Sequence, residues 1–126
     1  MVPVVNGADA LDLRPLAGAI QQVVEQARDG SIARENLRGS SITITSLGKL
    51  GGIAATPIIN APKTCIIGPN KIVERPVWQD GAMAVRKMMN LSISCDHRII
   101  DGYDAARFVQ ELKRLLECPA LIFSDG

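Results

Sequence analysis

The chain has 126 residues, 47% of them hydrophobic and 21% charged, with a formal net charge of +1, which suits one domain with a real core and excludes a strongly basic surface. One Trp, one Tyr and two Phe are too few for a platform that stacks nucleic-acid bases. No apolar run is long enough to span a bilayer and no segment resembles a signal peptide. The expectation is a soluble protein of a bacterial cytoplasm; a eukaryotic relative would belong to the mitochondrial matrix.

In chain order, Val2–Val5 is a short strand candidate ended by Asn6-Gly7. A helix is predicted from about Asp12, with Pro15 tolerated in its first turn and Leu13, Leu16, Ile20, Val23, Val24 and Ala27 as its buried face. Gly30 stops it, and Ser31 to Gly39 holds one short helical turn. A strand then starts at Ile42, with Ile42 and Ile44 on one face and Thr43 and Thr45 on the other. The loop from Gly48 to Pro62 is rich in glycine and proline, which suits close approach of its backbone to another segment or subunit.

Two strands, about Thr64 to Gly68 and Lys71 to Val77, precede the turn Gln79-Asp80-Gly81. After it a single strand ends near Cys95, in which Met89, Leu91, Ile93 and Cys95 alternate with Asn90, Ser92 and Ser94. His97 continues the apolar parity and is expected to point inward unless the strand bends. Asp101 reads as a helix N-cap before Gly102, and Ala105, Phe108, Val109, Leu112, Leu115 and Leu116 form the stripe of a final helix. These elements make an α/β chain, an α+β two-layer sandwich with a mixed sheet and helices on one face.

His97 is the only histidine. Its ordinary role is packing or solvation, but it stands on a short connection held by a strand and a helix, where a catalytic group can be oriented. Imidazole, with an unperturbed pKa of about 6.5, can accept a proton from a thiol or hydroxyl near neutral pH. Cys65, Cys95 and Cys118 are odd in number and widely spaced, without a Cys-x-x-Cys pair. They are expected to be reduced and mostly buried, with no metal site. Cys95 lies close enough to His97 in sequence to suggest a nucleophile, but packing is the preferred reading.

The run Asp96-His97-Arg98-Ile99-Ile100-Asp101-Gly102 resembles the Asp-His-Arg-x-x-Asp-Gly signature of the dihydrolipoamide acyltransferase catalytic domains, the E2 components of 2-oxo acid dehydrogenase complexes. Ser41–Gly52 and Thr56–Pro62 are similar to that family's strand, glycine turn and proline-flanked loop, and Ile66–Trp78 continues the likeness. The resemblance covers nearly the whole chain, residues 1–126, as the C-terminal portion of the catalytic domain, and implies a chloramphenicol acetyltransferase-like fold.

The resemblance further implies transfer of an acyl group between a dihydrolipoyl thiol and the thiol of coenzyme A, both as substrates, with no bound cofactor. It assigns His97 as the base, Thr45 as the hydroxyl donor to the oxyanion with Ser46 as fallback, and Asp101 as an organiser paired with an arginine. Many relatives carry Ser where Thr45 stands. Thr45 also has a plain reading as a strand threonine, and Asp101 as a helix cap; Asp96 and Arg98 are assigned to local architecture.

Family sites lie between the subunits of a trimer. The implied partners are therefore further copies in a homotrimer or a multiple of one, a lipoyl domain, and the E1 and E3 components of the complex. The segment expected to supply the arginine and much of the substrate wall precedes this stretch in the family, so a non-catalytic core or scaffold fragment is the alternative. A chloramphenicol- or condensation-type acyltransferase fits less well, because it lacks the Thr45–Gly52 motif and the Asp96-His97-Arg98 triplet. The acyl group stays open between acetyl, branched-chain and succinyl.

Overall fold

A computed structural model describes residues 1–124. The chain divides into two compact units, Met1–Ser41 and Ile42–Gly126.

In the first unit, α1 spans Leu13–Asp29 between an extended Asp12 and a left-handed Gly30. Pro15 falls in the first turn, where its missing N–H leaves no bond unmade. Ser31 donates to the Asp29 carboxylate from its backbone N–H and its hydroxyl, at 2.9 and 2.6 Å. These bonds, the hydroxyl first, hold the Asp29 carboxyl below its ordinary value. A 3-10 turn at Arg34–Leu37 follows, as the sequence suggested.

Val2–Val5 is not a strand. It finds no strand edge to join; instead the Val4 N–H donates to the Asn36 carbonyl at 2.7 Å and the Asn6 amide to the Glu35 carbonyl. Val4 and Val23 are buried, whereas Leu13 and Ile20, expected on the covered helix face, are exposed.

The second unit carries β1 (Ile42–Ile44), β2 (Cys65–Pro69), β3 (Val73–Gln79), β4 (Ala82–Met88), β5 (Leu91–Cys95), α2 (Gly102–Glu117) and α3 (Ala120–Ser124). The main sheet has the order β1-β2-β5, with β1 parallel and β5 antiparallel to β2. Bonded on both sides, β2 reads as an unbroken apolar run, and Cys65, Ile66 and Ile67 are buried. The sheet is mixed, as expected. α2 packs on β5 and α3 packs on α2. Among the described residues no helix is long and apolar enough to cross a membrane.

Two departures from the expected strands share one cause. The segment after Gly81 is not a lead-in to one strand: it forms β4, which pairs along its whole length with β3 in a separate two-stranded sheet. Asp80 and Gly81 both have positive φ, 52° and 78°, the two-residue I′ geometry that matches the twist of a hairpin. The chain therefore folds back at once, and Met89-Asn90 becomes a break before β5. The isoleucine face of β1 is also more open than expected: Ile44 is 68% exposed while Thr43 is half-buried.

Candidate active site

The His97 connection is built by two aspartates. Strand pairing continues one residue past β5, where the Asp96 N–H donates to the Thr64 carbonyl at 2.8 Å. The chain then turns, because Ile99 and Ile100 both donate their N–H groups to the Asp96 carbonyl, at 3.0 and 2.9 Å. The Asp96 carboxylate closes the same turn from outside. It accepts the Arg98 backbone N–H at 3.1 Å, and the Arg98 guanidinium through Nε at 2.9 and 3.2 Å and Nη2 at 2.6 Å.

Two-point bonding of this kind is stronger and more directional than a single ion contact. Arg98, chiefly through its side chain and then its backbone N–H, holds the Asp96 carboxyl at about 2. The same bonds push the Arg98 guanidinium up.

The turn overrides the alternation that pointed His97 inward. His97 occupies the turn rather than the strand and is exposed, so its imidazole is open to an incoming group. At the far end, Asp101 Oδ1 accepts the Asp104 N–H at 2.8 Å and caps α2. Among the described residues Asp101 makes no ion pair.

Thr45 extends β1 by one rung, its N–H donating to the Ile67 carbonyl at 2.9 Å, and it is exposed. The Ser46 hydroxyl accepts the Gly48 N–H at 3.1 Å, which ties that oxygen to the turn.

The register separates the histidine from the threonine. Ile44 stands beside Ile67, which puts Thr45 level with Gly68, whereas Asp96 is paired with Thr64. At the usual strand rise these levels are about 13 Å apart along β2, and His97 lies beyond Asp96. One chain therefore does not bring its own Thr45 to its own His97.

Sequence reasoning missed the residues that fix the Gly48–Pro62 loop. The Ser92 hydroxyl accepts the Ala55 N–H at 3.1 Å, and the Asn90 amide donates to the Ile53 carbonyl at 2.6 Å. Asn70 donates to the Gly68 and Asn90 carbonyls and to the Ser92 hydroxyl, at 3.1, 3.0 and 2.9 Å. For Asn90 and Ser92 the available signal was their place on the polar side of the alternation that runs into β5; Asn70 carried none.

Cys95 lies in the sheet opposite Cys65, with the two Sγ atoms 3.7 Å apart, and so does not share a face with His97 on one continuous strand. Burial, then the contact with Cys95, pushes the Cys65 thiol up to about 11. All three cysteines are free, but Cys118 is exposed rather than buried, because it follows the last turn of α2. Among the described residues no three His, Cys, Asp or Glu side chains gather as a metal site requires.

The chain belongs to the family of 2-oxoacid dehydrogenases acyltransferase (catalytic domain), whose model matches residues 1–124. It is similar to the lipoamide acyltransferase component of the branched-chain alpha-keto acid dehydrogenase complex of Pseudomonas putida, 54% identical over 99% of this chain and 30% of that protein. The structure of Azotobacter vinelandii dihydrolipoamide acetyltransferase superposes with a TM-score of 0.89 at 40% identity, over 96% of this chain and 50% of that one. The cubic core of the pyruvate dehydrogenase multienzyme complex matches with the same score, identity and coverage. The fold is therefore that of these acyltransferase cores, and the chain spans about 30% of the length of the curated relatives it matches.

Proposed function

We propose that this chain works as an acyltransferase in a 2-oxo acid dehydrogenase complex, moving an acyl group between a dihydrolipoyl thiol and coenzyme A. The observation that carries the proposal is the exposed His97 on a turn fixed at both ends by Asp96 and Asp101. The Azotobacter acetyltransferase was studied for the catalytic role of a serine, a histidine and an asparagine. That serine and asparagine stand at the same sequence intervals from their histidine as Thr45 and Asp101 from His97. The correspondence supports the three assignments.

In this reading His97 takes the proton of the attacking thiol, whose ordinary pKa of about 8.5 is within reach of an imidazole. The thiolate adds to the thioester carbonyl, and the Thr45 hydroxyl donates to the resulting oxyanion. Collapse of the intermediate expels the second thiolate, which recovers the proton from His97. Because Thr45 and His97 stand at different ends of β2, the donor comes from a second copy of the chain. A homotrimer, or a multiple of one, supplies it.

The likeness to a cubic core supports assembly, and 54% identity with the Pseudomonas protein favours a branched acyl group. A lipoyl domain and the E1 and E3 components are the partners this activity requires. A cytoplasmic location fits the bacterial relatives.

A scaffold role without catalysis is the second reading. It rests on Asp101, which caps a helix and has no ion-pair partner among the described residues. Dihydrolipoamide and isobutyryl-coenzyme A, given to the purified assembly, separate the two. Thioester transfer that His97→Ala abolishes supports the enzyme. A folded oligomer that transfers nothing at saturating substrate leaves the scaffold.

A further inference from the structure

We propose that Cys65 and Cys95 form a redox modification site, closing a disulfide across β2 and β5 by exchange with a small-molecule disulfide. The backbone prepares it. Asp96 donates to Thr64 and Asn70 donates to Asn90, so the hydrogen-bonded pairs of this antiparallel ladder fall at the even-numbered positions of β2. The Cys65–Cys95 pair is thus a non-hydrogen-bonded one. Such partners have Cα atoms about 4.5 Å apart, inside the range of about 4.4–6.8 Å that a disulfide accepts. The Sγ atoms already face each other at 3.7 Å, so side-chain rotation brings them together while the strands stay in register.

The two thiols differ in access. Cys95 is half-buried and Cys65 is buried, so an oxidant meets Cys95 first. The Cys95 thiolate attacks one sulfur of the oxidant, forming a mixed disulfide and releasing one thiolate. Cys65, once deprotonated, attacks the Cys95 sulfur and releases the second thiolate. Two electrons pass from the cysteines to the oxidant, and the two thiol protons end on the departing thiols, directly or through water. The new bond encloses the β3–β4 hairpin and fastens the strand end that presents His97 to the centre of the sheet. It does not depend on the acyltransferase reading.

Purified protein incubated with oxidised glutathione, then denatured, alkylated and mapped by mass spectrometry, tests the proposal. Most chains should lose two hydrogen masses and yield a Cys65 peptide joined to a Cys95 peptide, with both thiols recovered by dithiothreitol. Cys118→Ser, which removes the exposed thiol, should behave alike. Cys65→Ser should leave a lasting glutathione adduct on Cys95. If Cys65→Ser fails to fold, the map of the unaltered chain decides alone. The proposal is overturned if Cys65 and Cys95 both stay alkylatable while Cys118 is modified, or if glutathione remains on Cys95 with Cys65 present.

Discussion

Asp96 and Arg98 grip one another on either side of His97, with the carboxylate side chain 17% exposed and the guanidinium 86% exposed. Because the same carboxylate also accepts the Arg98 backbone N–H, the pair sets the shape of the turn as well as its charge. Asp96→Asn removes the two-point ion pair and should lower kcat by about 10- to 100-fold, the scale of an ångström-level misplacement of a catalytic group. KM should change little. Steady-state kinetics at saturating acyl-coenzyme A reads this; an unchanged kcat refutes the positioning role.

Acid should erase the same interaction. Asp96 titrates at about 2 in the folded chain, down from 3.8, so its contribution to stability is complete above the unfolded value and is lost as pH falls through the folded one. Urea midpoints of the unaltered chain and Asp96→Asn should keep a constant gap between about pH 5 and about pH 7 and converge below about pH 4. A gap that persists undiminished towards pH 2 assigns it to something other than this carboxylate.

The separation of Thr45 from His97 along β2 predicts complementation. Thr45→Ala alone should lower kcat by about 10²–10³-fold, as loss of one oxyanion donor does, and His97→Ala should be inactive. Co-assembling the two variants in equal amounts should recover about a quarter of the unaltered activity, the chance that neighbouring subunits bring one intact residue each. Recovery that fails in verified mixed oligomers rules out a shared site.

Asp101 should separate capping from charge. Asp101→Ala loses the bond to the Asp104 N–H and should cost about 1 kcal/mol of stability, measured by urea unfolding. Asp101→Asn keeps a capping oxygen and should retain most of that stability. Equal losses in both variants would point to the negative charge.

Where local rules governed, the sequence could be read closely. Asp12 and Gly30 bound α1, Asp101 caps α2, and the unbroken apolar run of β2 marks the centre of the sheet. The failures came where a partner or a turn decided. Val2–Val5 has strand composition but no edge to pair with. Two-residue alternation carried His97 inward because the Asp96 carboxylate closing its own turn is invisible to periodicity. Of the candidate site, the residue types and order were legible. The resemblance implied that Thr45 and His97 need not meet within one chain, but their distance was not legible, since it follows from how β1 and β5 register on a third strand.

Among the described residues, strand β2 is the one element of the main sheet with hydrogen-bonded neighbours on both edges. Opening it requires breaking two ladders at once, so its amides should be the last to trade protons for deuterium. The β3–β4 ribbon, paired only within itself and carrying Trp78 72% exposed, should exchange long before. The part of the molecule that remembers its shape longest is thus the strip against which both halves of the catalytic proposal are aligned.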